Sequence, residues 1–142
     1  MTNFIHAFTG AIAIAAAAAT GATATEMEDA LTNGATQLTA DQIEARLADK
    51  TVKFENMNTG AKVLVYYDGG NGMVLKPVGS EKTLDGFYAT DLANHVCLGI
   101  RGKEPMRLRC VNVLMIDGAM HKFELDGSLR GRIIESVDGN MI

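Results

Sequence analysis

Side chains that carry out chemistry are scarce in this sequence. Beyond residue 25 the serines are Ser80, Ser128 and Ser136, and none sits in a Gly-x-Ser-x-Gly elbow. The histidines there are His95 and His121, with neither a His-x-x-x-His nor a His-Glu-x-x-His spacing to hold a metal. The two cysteines, Cys97 and Cys110, are too far apart to form the Cys-x-x-Cys unit of redox catalysts. Excess positive charge is lacking too: 13 Lys and Arg stand against 17 Asp and Glu, a net −4. A protein that binds nucleic acid through its phosphates needs a strongly basic face, so that class is disfavoured. No cofactor motif is found. Gly69-Gly70-Asn71-Gly72 is rich in glycine but lies between two strand-like runs, whereas a phosphate cradle opens a helix. Asp68 and its glycines lack the alternating acidic ligands and closing Glu of a calcium loop. Eight methionines occur with no Met-x-x-Met spacing, which fits gap-filling in a core better than copper binding.

Long apolar runs are confined to the start. Ala7 to Ala19 is almost purely apolar, Ala22-Thr23-Ala24 has the small-x-small form of a cleavage site, and acidic residues follow at once. This layout predicts a secretory signal peptide over 1–24, although the first six residues lack Lys and Arg. The alternative, a retained anchor, is weakened by a run shorter than the ~20 apolar residues of a membrane span. Export implies a periplasmic or secreted protein with no membrane span after cleavage. An even cysteine count in that compartment reads as a disulfide.

Residues 25–37 are polar and carry the Asn33-Gly34 turn signal, so a flexible lead-in is expected, with at most a helical turn at Glu26–Leu31. The folded domain is expected over 38–142. Thr39 with Gln42 three residues on forms a capping box, and Leu38 with Ile43 can close a hydrophobic staple. A helix over about Ala40 to Asp49 follows, its apolar stripe Ile43 and Leu47. From Thr51 the period falls to two, and short strand-like runs alternate with turns. Asp-Gly occurs at 68, 85, 117, 126 and 138, without a regular repeat. About eight short strands predict a mainly β (α+β) fold, an antiparallel meander curled into a barrel or half-barrel with one short N-terminal helix packed on it. A two-layer α+β roll is the alternative.

The hairpin from Ala93 to Ile116 organises this meander. Folding it about Lys103–Glu104, within the turn Gly102-Lys103-Glu104-Pro105, sets Cys97 opposite Cys110. Directly opposed residues on antiparallel strands lie within reach of a disulfide. Around it, Arg101, Lys103, Arg107 and Arg109 form the densest basic cluster, a candidate docking site for an acidic protein or an envelope component. Tyr66 and Tyr88 are candidate ligand-lining aromatics at a barrel mouth. His95 and His121 are further ligand-lining candidates, expected on one sheet face with a strand between them. After Asp117-Gly118, alternation puts His121, Phe123 and Leu125 on one face and Lys122 and Glu124 on the other.

Four pieces of the sequence, Leu38-Thr39 to Ile43, Tyr66-Tyr67-Asp68-Gly69, Gly86-Phe87-Tyr88 and Cys97 with Cys110, come in a telling order. That order resembles a loose group of short exported alphaproteobacterial proteins of unknown function. In that group a Trp often closes the Gly-x-(Trp/Tyr) strand; this chain has no Trp, and Tyr88 stands there. The resemblance implies export and a small β-fold and carries no catalytic residues. The chain is also similar in size and single-disulfide architecture to small-barrel periplasmic lysozyme inhibitors, but lacks their Ser-Gly-x-x-Tyr loop. The reading that follows is a non-enzymatic β-domain for protein or envelope interaction. A small-ligand-binding half-barrel is the alternative, and an enzyme of unrecognised type the third.

Overall fold

The computed structural model describes residues 23–102 and 105–142. The leader expected over 1–24 therefore lies almost wholly outside the described residues, as do Lys103 and Glu104. Nine strands and two short helices follow one another: α1 (Glu26–Thr32), β1 (Thr36–Gln37), α2 (Ala40–Leu47), β2 (Lys50–Asn56), β3 (Lys62–Tyr67), β4 (Gly72–Pro77), β5 (Leu84–Thr90), β6 (His95–Ile100), β7 (Arg109–Ile116), β8 (Ala119–Phe123) and β9 (Leu129–Asp138). Strands β2 to β9 pair antiparallel in chain order, and β9 pairs back onto β2, so the eight-stranded sheet closes into a barrel. Closure removes the unpaired edges that an open meander would expose. Strand β1 stands outside the ring, pairing Thr36 with Met115 and Gln37 with Leu114.

The turns explain the tight connections. Asp117 and Gly118 both have positive φ, 48° and 80°, as a two-residue type I′ hairpin requires. In the β3–β4 loop, Asp68 Oδ1 accepts from the amides of Gly70 and Gly72. A Cβ at Gly72 would stand 2.2 Å from the Asp68 carboxylate, so glycine is needed there.

Helix α2 closes one end. Thr39 and Gln42 make both bonds of the capping box, and the helix stops at Leu47, because Ala48 turns to an extended ψ of 132° and Asp49 to φ 58° before β2 starts. Its stripe, Ile43 and Leu47, is buried and joins the inward-facing Val52, Val65, Tyr67, Tyr88, Val96 and Val111 in one core. Tyr88 anchors this end: its hydroxyl donates to the Asp68 carbonyl at 2.6 Å, and its ring meets Tyr67 edge-on at 4.9 Å. Burial, with Asp68, Glu44 and Asp49 nearby, pushes the Tyr88 phenol up to about 12.

The segment 25–37 carries its helix where the turn at Glu26–Leu31 is expected. It forms a seven-residue helix with its own capping box, Thr25 with Glu28, and is tied to the β8–β9 turn through Met27 N to Gly127 O and Leu129 N to Glu26. The outward-facing Leu114 and Phe123 are buried although they point away from the barrel interior. The α1–β1 segment lies on that side, so these residues belong to a second, smaller apolar layer.

Candidate functional site

Among the described residues no helix plugs the end of the barrel opposite α2, although α1 is tied to its β8–β9 turn. The loops there join β2 to β3, β4 to β5, β6 to β7 and β8 to β9. Alternation sends Met73, Leu75, Leu98 and Ile100 inward near this end, and all but Met73 remain only partly buried. They wall a cup of about 930 Å³, within the usual size of small-molecule sites. Glycine shapes the wall between them: a Cβ at Gly86 would meet the Gly99 carbonyl at 2.4 Å and the Met73 methyl at 2.7 Å.

The rim is charged. Arg107, Arg109 and Arg130 line it together with Glu124 and Asp126. Both carboxylates are engaged within the protein. Glu124 accepts from Arg130 at 2.7 Å and lies 4.0 Å from Arg109. Asp126 accepts from the amide and hydroxyl of Ser128, bonds that hold its carboxyl below the usual carboxylate range. Arg130 and Arg109 are thus Glu124's own partners, and Arg107 is the rim cation with no ion pair among the described residues.

Of the expected basic cluster, Arg107 and Arg109 reach the cup, while Arg101 is exposed at the exit of β6 and does not line it. Lys103 lies outside the described residues. Cys97 and Cys110 are register partners joined at an S–S distance of 2.04 Å. They lie on the outer face, because their neighbours Val96 and Val111 point into the core. The bridge clamps the two strands that carry Leu98 and Arg109, which are themselves register partners on the inner face.

The remaining candidates do not gather at the cup. Tyr66 falls on the outer face, since its neighbour Tyr67 is the one turned inward and buried. Tyr88 is inward but sits in the plug under α2. His95 and His121 do share the outer face, with β7 between them. Two strand spacings and a two-residue offset keep them roughly 10–12 Å apart. His95 Nδ1 meets Asp91 at 2.9 Å and His121 Nδ1 meets the Ala119 carbonyl at 3.1 Å. The His95 contacts, the backbone amide foremost, hold Asp91 below its ordinary range. No group of three or more His, Cys, Asp or Glu that could hold a metal occurs among the described residues.

One inward residue was not expected. Lys122 is only 3 % exposed. Its Nζ donates to the Tyr67 hydroxyl at 3.0 Å and stands over the Phe54 and Tyr67 rings at 5.3 and 5.6 Å. Opposite it, Gly131 has no side chain; a Cβ there would lie 2.5 Å from the Phe54 ring. Alternation alone put Lys122 and Glu124 on one face; the pairing of Lys122 with the core residue Val113 turns that face inward. The cup walls were equally readable from the cysteine register, which sets Leu98 beside Arg109 on the face opposite the disulfide.

No family model matches the chain, and comparison with curated proteins and with solved structures finds no match.

Proposed function

We propose that this chain is an exported, non-enzymatic binding barrel whose open mouth holds an anionic amphiphile, an acyl or similarly apolar group ending in a carboxylate, sulfate or phosphate. The observation that carries this reading is the pairing of an apolar cup of about 930 Å³ with a rim of Arg107, Arg109 and Arg130. Apolar walls supply area, and a few fixed polar groups at the entrance set orientation. Guanidinium groups suit this task, because their planar forks match carboxylate and phosphate oxygens. The groups facing the cup favour holding an anion over transforming one. Its carboxylates are occupied, and the His95–Asp91 pair lies on the outer face beside the plugged end.

Export is supported by the leader-like start and by the Cys97–Cys110 bridge, a bond that persists in oxidising compartments. The acidic envelope component expected from the basic hairpin becomes, on this reading, the amphiphile's head group.

Titration calorimetry with laurate below its micelle concentration tests the reading. Saturable binding at one site per chain is expected. Arg107→Glu with Arg109→Glu should weaken it about tenfold or more, equivalent to ~1.4 kcal/mol. Leu98→Trp, which narrows the cup without burying a charge, should weaken it as well. Equal affinity in all three proteins would reject the cup as the site.

A further inference from the structure

The loops around the open end share a second property. Each carries large apolar side chains in water: Met57 between β2 and β3, Val78 between β4 and β5, Met106 and Leu108 between β6 and β7, and Leu125 between β8 and β9. Their exposures run from 46 to 61 %. At the plugged end the connecting loops contribute Leu92 and the segment after β9 adds Met141. Apolar tips on all four loops at one end of a barrel are an asymmetry that solubility disfavours and an interface explains.

We infer that this end of the barrel docks on an anionic lipid surface, with the loop tips inserted at the head-group level and the mouth facing the lipid. The inference rests on the proposed amphiphile-binding cup and extends it to the place where the ligand is found. Two features select a lipid surface over a folded partner. The tips stand on separate loops around a hollow rather than forming one continuous patch, and a fluid interface accommodates such an outline where a rigid surface leaves voids. Charge complements the same surface. Among the described residues Arg101, Arg107 and Arg109 stand on and beside the β6–β7 loop, in a chain of net charge −4, so the attraction is local and orients the mouth toward anionic head groups. Apolar insertion combined with basic side chains is the general recipe for binding at a bilayer interface. A mouth held there takes an acyl chain directly from the bilayer, without exposing it to water.

Vesicle sedimentation of the full chain tests this, using phosphatidylcholine vesicles with and without phosphatidylglycerol. Every variant carries the same N-terminal apolar run, so differences between variants report on the loops. Wild type should partition more strongly to phosphatidylglycerol-containing vesicles, and added salt should weaken it. The informative variant is Met57→Asp with Val78→Asp, because neither residue lines the cup. It should lose about fivefold or more of its vesicle partitioning and keep its laurate affinity and its circular dichroism spectrum. Wild-type partitioning in this variant would overturn the inference. So would partitioning lost by Arg107→Glu with Arg109→Glu alone, which indicates a purely electrostatic contact such as an acidic soluble protein makes. Vesicle binding absent with laurate binding intact removes the membrane and leaves the cup. Vesicle binding intact with laurate binding absent removes the cup and leaves a docking surface.

Discussion

Lys122 brings an amine into a core that offers it one hydroxyl acceptor, Tyr67. Burial of a polar group is costly in proportion to the bonds it forfeits. The aromatic faces of Phe54 and Tyr67 offset part of that cost. Two expectations follow at this scale. Tyr67→Phe, which removes the acceptor and little else, should destabilise the barrel by about 1–3 kcal/mol. Lys122→Met, of similar volume and without donors, should be neutral or stabilising. In a double-mutant cycle followed by urea unfolding the two should be strongly non-additive, with Tyr67→Phe nearly silent once Lys122 is gone. Additive losses would mean that the bond contributes nothing and that Tyr67 acts through its ring. This residue also marks the limit of what the sequence reveals. Alternation identifies which residues share a face, but not which face is inside. In β8 the face with Phe123 looks like the core face, and only the register with β7 and the cover on the α1–β1 side reverse that choice.

At the scale of elements, the strongest local signals were the most legible. The Thr39–Gln42 box and the Ile43, Leu47 stripe specify α2 because capping and amphipathic spacing act within a few residues of chain. The turn at Gly102–Pro105 and the cysteine spacing specify the β6–β7 register for the same reason. Helix α1 has a local signal of the same kind, Thr25 with Glu28 three residues on, but its docking onto the β8–β9 turn about a hundred residues away is a contact that nothing in 25–37 announces. Of the tyrosine pair, Tyr67 is the inward member, buried in the core, and Tyr66 lies on the outer face, away from the cup. Leu47 is 1 % exposed, so Leu47→Ala should cost on the order of 2–4 kcal/mol; a loss below about 0.5 kcal/mol in denaturant unfolding would place that side chain on the surface. The Cys97–Cys110 bridge closes a loop with a sequence separation of 13, for which chain entropy gives about 3 kcal/mol. The Cys97→Ser with Cys110→Ser protein should therefore melt ~10 °C or more below wild type. Two titratable thiols per chain in denatured, unreduced protein taken from an oxidising compartment would contradict the bond itself.

For the whole molecule, closure and charge act together. The closed ring leaves two ends, one plugged by α2 and Tyr88 and the other open, and the proposed function assigns binding to the open one. The sequence supplied the strands, their number and the barrel-like class. Whether the sheet closes depends on the β2–β9 pairing, the most distant strand contact in the chain, which no local pattern encodes. That seam is bounded by ion pairs. Arg132 and Lys62 hold Glu55 below its ordinary range, with the Arg132 bond the larger cause, and Lys50 does the same for Asp138. Together with Asp91 and Asp126, these carboxyls have depressed folded-state values, so their contribution is present above the unfolded carboxylate range and is lost as pH falls through the folded values. Calorimetry should give a melting temperature that is level near neutrality and declines once pH drops below roughly 4. A melting temperature that holds or rises on acidification would show that the seam pairs are not part of the stability.

The central claim is that the open mouth holds an anionic amphiphile, and the most direct test is a nuclear magnetic resonance titration of the isotope-labelled chain with laurate. Saturable shifts are expected on the methyl groups of Met73, Leu75, Leu98 and Ile100 and on the side chains of Arg107, Arg109 and Arg130, with the plug residues Ile43, Leu47 and Tyr88 undisturbed. Shifts that scatter over the outer face around His95 and His121, or that never saturate, would contradict it.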